Sequence, residues 1–149
     1  MKKSAILLVI LILPVLLLSK TGLGIIIGEP TGISFKTWTS DQTAFDAALA
    51  YSFIDKEHFY FHLNHLWHST FQLGETTVPW YWGLGGNLRY REKADDQLRI
   101  AGRIPLGIYH MFNNFPADIF LEVAPGLDVI PEISFNLGAA IGFRYYFFK

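Results

Sequence analysis

The sequence predicts an all-β chain: an eight-stranded, antiparallel, up-and-down transmembrane β-barrel behind an N-terminal signal peptide. Three observations predict it. Beyond residue 22, apolar residues alternate with small or polar ones at a period of two, and no stretch sustains a helical period. Aromatic residues make up 16% of the chain and charged residues only 17%, against roughly 25% charged in ordinary soluble domains. The chain also opens with Lys2 and Lys3 and then an aliphatic run over residues 5–18, broken only by Pro14. That is the order of an export segment, and the run is too short for the roughly 20 residues a membrane-spanning helix needs.

The 149 residues show no sharp change of composition, so a single domain is expected, with residues 1–21 as the signal peptide and 22–149 as the barrel. The small residues Ser19 and Thr21 place the expected cleavage just before Gly22. A net charge of −1 excludes the broad basic surface of a nucleic-acid binder. With no cysteine there is no disulfide, thiol chemistry or zinc–thiolate site, and no lipidated N-terminal cysteine.

Residues 23–28 and 32–38 read as a hairpin turning at Glu29-Pro30. Residues 43–53 set Phe45, Leu49, Tyr51 and Phe53 against Ala44, Asp46, Ala48, Ala50 and Ser52. Residues 59–67 set Phe59, Phe61 and Leu63 against Tyr60, His62 and Asn64, and residues 79–91 set Trp80, Trp82, Leu84, Leu88 and Tyr90 against Tyr81, Gly83, Gly85, Asn87 and Arg89. Residues 97–109 read as one strand with Arg99, Ala101, Arg103, Pro105 and Gly107 on its polar face. Residues 118–128 and 134–148 complete the set. Turn-forming residues lie between them at Ser40-Asp41, 55–57, 93–96, 113–116 and Pro131-Glu132, and residues 68–77 form the one roomy connection. First and last strands that close antiparallel require an even count, and eight fits.

Alternation alone does not say which face meets solvent. The polar face is mostly Gly, Ala, Asn, Tyr and Arg rather than Lys, Glu and Thr, which suits a narrow packed lumen without an open channel. Trp38, Trp67, Trp80, Tyr51, Phe53, Tyr90 and Tyr145 fall near strand ends, where rings form girdles at a membrane interface. The last strand alternates most cleanly, with Phe135, Leu137, Ala139, Ile141, Phe143, Tyr145 and Phe147 on one face.

Residues 142–147, Gly-Phe-Arg-Tyr-Tyr-Phe, resemble the terminal signal by which outer-membrane proteins engage the barrel-assembly machinery, although Phe148 and Lys149 follow it here. More widely the chain resembles small outer-membrane barrels of the OmpA/OmpX type, and residues 28–36 (GEPTGISFK) and 121–128 (LEVAPGLD) are similar to a largely uncharacterised group of that kind. The resemblance implies the fold and a location in the Gram-negative outer membrane; a monomer in contact with that membrane's lipid and lipopolysaccharide is the expectation. It brings no catalytic motif.

Three constellations could carry chemistry. Lys36, Arg89, Arg99, Arg103 and Arg144 share the polar face with Asp46, Asp118, Glu122 and Asp128; buried ions need partners, so a paired network sealing the lumen is expected, with Arg99 and Arg103 in reach of Asp128 and Glu122. His58, His62, His65 and His68 would suggest a metal site on a helix, but on a strand His65 points away from the other three and His62 reads as a hydrogen-bonded lumen residue. Some barrels of the resembled size modify lipid A through His, Ser and a carboxylate. Here only His68, Ser69 and Glu75, with His65, offer those types, and they lack the H-x-S arrangement of such deacylases. Gly28-Glu29-Pro30-Thr31-Gly32 lacks the lysine and helix of a phosphate loop. The expectation is therefore a non-enzymatic barrel with no catalytic, cofactor or metal residue and no nucleic-acid partner. Its role would be envelope integrity or surface interaction through loops 55–57 and 91–96. A lipid A-modifying enzyme, a narrow pore and a soluble periplasmic ligand-binding barrel are the alternatives.

Overall fold

A computed structural model describes residues 20–52, 58–91, 97–130 and 132–147, together with isolated positions 3, 6, 7 and 10; side chains are described within these except at 51, 52, 58, 91 and 97. Most of the expected signal peptide, Phe53, the whole of loop 55–57, residues 92–96, Pro131, Phe148 and Lys149 lie outside the described residues. Among the described residues no helix is long and apolar enough to cross a membrane.

Nine strands form one antiparallel sheet: β1 (Thr21–Gly28), β2 (Gly32–Trp38), β3 (Thr43–Ser52), β4 (His58–Leu73), β5 (Thr76–Arg91), β6 (Gln97–Arg103), β7 (Leu106–Met111), β8 (Ala117–Ile130) and β9 (Ser134–Tyr146). Neighbours in the chain pair as a meander except β6 and β7, and β1 pairs with β9 from Gly22 opposite Tyr146 to Gly28 opposite Ala140, so the sheet closes in a ring. Closure pairs most of the two outer edges that an open sheet would leave exposed.

The count of nine differs from the expected eight because residues 97–109 do not run as one strand. Pro105 has no N–H for the ladder, and the strand breaks at Ile104-Pro105. The two pieces share one place in the ring, since β6 and β7 both lie between β5 and β8. The chain crosses the break without losing contact with its neighbours: the Gly83 N–H donates to the Pro105 carbonyl at 2.9 Å and the Ile104 N–H to that of Pro125 at 2.9 Å.

A second correction concerns residues 68–77, which are not a roomy connection. β4 and β5 continue through them to a two-residue turn at Gly74-Glu75, with Leu73 opposite Thr76. Gly74 has φ 64°, a left-handed conformation that glycine adopts without the Cβ clash. At the other end of β1, the hairpin expected at Glu29-Pro30 is present, tied by Thr31 Oγ1, which accepts from the Gly28 N–H and donates to the Gly28 carbonyl at 2.9 Å each.

The expected faces are those observed. Ala44, Asp46, Ala48 and Ala50 of β3 point into the ring and are buried, while Phe45 and Leu49 point out and are exposed. The same division holds along β8 and β9, with Leu121, Val123, Leu127, Ile141, Phe143 and Tyr145 outside. Trp67 and Trp82 stack on the outer face, ring centroids 4.8 Å apart. Trp38 departs from the expected outer girdle. Its register on β2 is that of Ser34 and Lys36, so it points inward and lies 4.1 Å from the His68 ring. Its nearness to a strand end predicted the wrong face, because depth along a strand and side of the sheet are independent.

Candidate functional site: the interior of the ring

The ring has a closed end, where β1 begins and β9 finishes, and an open end, where the turn at Gly28–Thr31 and the β8–β9 connection lie. Interior packing follows from placing large side chains beside small ones on neighbouring strands. Tyr81, Gly107 and Glu122 stand side by side on β5, β7 and β8. Gly107 has no side chain, so the Tyr81 phenol lies across it and donates to Glu122 Oε2 at 2.6 Å. A Cβ at position 107 would run into that phenol. Phe120 lies over Gly142 in the same way, and Tyr146 over Gly22.

The charges at the closed end are fully interior. Arg144, with no exposed surface, lies opposite Asp118 on β8 and donates from Nε to its Oδ1 at 3.2 Å; Tyr146 donates to the other oxygen at 2.6 Å. The Arg144 guanidinium also stands 3.8 Å from Asp46 and 4.0 Å above the Phe120 ring. Asp46 in turn accepts from Asn64 Nδ2 at 2.7 Å. These contacts give two buried carboxylates one shared cation, the pairing that water would otherwise have to provide.

Lys36 is equally buried and has a different environment. Its Nζ lies 4.3 Å from the Trp38 ring, 5.1 Å from Tyr109 and 5.4 Å from Tyr81, and 2.8 Å from His68 Nε2. The His68 tautomer follows from its two partners. Nδ1 faces the Gln42 carbonyl at 3.1 Å, which can only accept, so Nδ1 carries the proton and Nε2 accepts from the lysine. The ring faces stabilise the ammonium by cation–π attraction.

Midway up the lumen, Arg103 joins several strands. Nη2 donates to Glu122 Oε1 at 2.7 Å, and Nη1 donates to the Tyr60 hydroxyl at 3.0 Å and to His62 Nδ1. Above it Asp128 collects Arg89 at 2.5 Å, Arg99 at 3.8 Å and Asn136 at 2.7 Å. Over this layer the lumen widens into a cavity of about 500 Å³, bordered by Tyr60, Asn87, Arg89, Arg99, Arg103 and Asn136.

The structure therefore brings together the charges that the alternation assigned to one face, including both expected contacts of Arg99 and Arg103. It does not assemble the His68, Ser69 and Glu75 set. His68 is inside, Ser69 is on the exposed outer side of β4, and Glu75 is in the exposed β4–β5 turn. His62 and His68 share the inner face, while His65 lies outside against Phe45 and Trp67. Among the described residues no group of three or more His, Asp or Glu side chains is placed to hold a metal ion. Sequence reasoning missed the aromatic surround of Lys36 and the Tyr81–Glu122 bond. The second had a signal in Gly107, a residue that buries nothing itself and leaves room between two large neighbours.

Compared with protein-family models, curated proteins and solved structures, the chain matches none of them.

Proposed function

We propose that this chain is a small integral outer-membrane β-barrel of a Gram-negative bacterium, exported by its N-terminal segment. In this reading the nine strands act as the eight staves of a barrel of the OmpA/OmpX kind, and the aromatic β9 engages the assembly machinery. The observation that carries the reading is the inverted distribution of side chains. Lys36, Arg144, Asp118, Asp46 and Glu122 are buried inside the ring, while Leu23, Ile25, Ile27, Leu63, Leu84, Leu121 and Ile141 are exposed around its outside. Soluble monomers rarely carry a contiguous apolar surface beyond a few hundred Å². A lipid-facing band with a polar interior is the arrangement of transmembrane barrels. A soluble ligand-binding barrel would need the opposite one.

The packed closed end favours a non-conducting barrel, and the reading gives it a non-enzymatic role in envelope integrity or surface interaction at the open end. Separation of inner membrane, outer membrane and periplasm after expression tests the location, combined with gel migration of heated and unheated samples. The protein is expected in the outer-membrane fraction and to migrate differently until heated. Recovery as a soluble periplasmic protein contradicts the reading. In a deletion strain, greater sensitivity to bile salts or dodecyl sulfate is the expected sign of an envelope role.

A further inference from the structure

We propose that the open end of the ring is a binding site for a phosphorylated, hydroxyl-bearing headgroup of sugar-phosphate size. Three observations carry it. First, the cavity of about 500 Å³ is larger than a bare ion needs and suits a small molecule or headgroup. Second, its cations are under-neutralised among the described residues: Arg103 has Glu122 at 2.7 Å, but Arg89 and Arg99 share the single carboxylate of Asp128. Arg99 stands 3.8 Å from it, beyond hydrogen-bond length, and is 45% exposed at the mouth. Glu29 is the acidic residue on the cavity's border, on the opposite wall. Third, two polar atoms there lack partners. Asn87, on the cavity's border, is only 8% exposed; its Oδ1 and Arg89 Nε, both without open surface, have no hydrogen bond, as Arg144 Nη1 and Nη2 have none at the closed end.

These groups specify a ligand chemistry. Guanidinium groups bind phosphoryl oxygens through paired N–H donors, so Arg99, open at the mouth beside Arg89, calls for an anion with several acceptor oxygens. A turn of the Asn87 side chain brings its amide to the cavity it borders, where a sugar hydroxyl can meet it. A buried polar atom without a partner costs stability until something satisfies it.

Such a headgroup could arrive free or as part of a lipid. One feature bears on the source: β9 starts at Ser134 but pairs with β1 only from Ala140 onward, which leaves its first residues without a strand on that side. Leu137, 61% exposed, borders both this gap and the cavity. An acyl chain could leave the cavity there.

Titration calorimetry on the full chain, folded in a phosphate-free maltoside detergent, tests the proposal. Glucose 1-phosphate should bind saturably and glucose should not. Arg99→Gln should weaken binding about tenfold, the loss expected for one charged hydrogen-bonding partner. Asn87→Ala should weaken it several-fold, with unchanged migration of unheated samples showing that both variants are folded. Equal affinity for glucose and glucose 1-phosphate, or binding that neither substitution alters, overturns the proposal. Dihexanoyl phosphatidylinositol, which carries both the phosphate and the ring hydroxyls, then separates the sources. Tighter binding than glucose 1-phosphate, lost in Leu137→Asn, identifies a lipid headgroup, and equal binding insensitive to Leu137→Asn identifies a soluble phosphate. The glucose 1-phosphate result does not depend on where the protein resides, so it can fail while the outer-membrane reading stands, and the reverse.

Discussion

The two ends of one lumen are built from the same residue types and reach opposite results. At the closed end, Arg144, Asp118, Asp46 and Tyr146 pack with Phe120 into a solid layer in which each carboxylate meets a cation or a hydrogen-bond donor. At the open end, Arg89 and Arg99 divide one aspartate between them and border a cavity. Aromatic volume makes much of the difference. Trp38, Tyr81, Tyr109, Phe120 and Tyr146 fill the closed half, whereas the inner positions near the mouth include Ala50, Ala124, Gly138 and Asn136. A polar interior becomes a plug where large rings exclude water from its ions, and a vestibule where small residues leave the same ions in contact with it.

The largest effect that could break this contrast is expected from Arg144→Met. It removes the cation shared by Asp118 and Asp46, and stranding a buried charge costs about 3–5 kcal/mol. Urea unfolding in detergent micelles should show that loss or a failure to fold; a change below about 1 kcal/mol would mean that the closed end is not the paired, dry layer described. Gly107→Val comes next. The added side chain displaces Tyr81 from Glu122, and overpacking of this kind costs about 1–3 kcal/mol. Tyr81→Phe should give a loss of its own, and the double variant should lose less than the sum of the two, because both substitutions break one bond. Additive losses would show that Gly107 serves some other purpose. The smallest effect belongs to the mouth. Arg99→Gln, at an exposed pair, should shift stability by no more than about 1 kcal/mol, even though it is expected to weaken ligand binding. A loss as large as that of Arg144→Met would erase the distinction between the ends.

Much of this architecture was legible before any coordinates. A period of two assigns every other residue to one face, so the inward set from Lys36 to Arg144 followed from parity alone, as did the outward position of His65. What parity does not encode is which inward residues touch. Tyr81 reaches Glu122 only because the strand between them offers Gly107, and Lys36 meets His68 across the width of β3. The extension of β4 and β5 was illegible for a related reason. Phe71 and Leu73 alternate with Thr70 and Gln72 over too few residues before Gly74-Glu75 and Thr76-Thr77 interrupt the pattern, so the segment reads like a loop. The break at Pro105 could have been read from the missing N–H; the alternation of Ile104 and Leu106 about it concealed the interruption. Trp38 shows the limit of inferring a girdle from ring chemistry, since the same side chain serves equally well as a wall for a buried ammonium.

The outward-facing apolar surface is the central claim, and the tryptophans offer a direct measurement of it. Trp67 and Trp82 stack on the outside, while Trp38 lies inside against His68. Three single-tryptophan variants, with the other tryptophans replaced by phenylalanine, can be refolded into bilayers of phosphatidylcholine carrying bromine atoms on its acyl chains. Bromine quenches only what it touches. Strong quenching of Trp67 and Trp82 with little of Trp38 is the result predicted, and equal quenching of all three, or none at the two outer positions, would contradict a ring that shows lipid its apolar face.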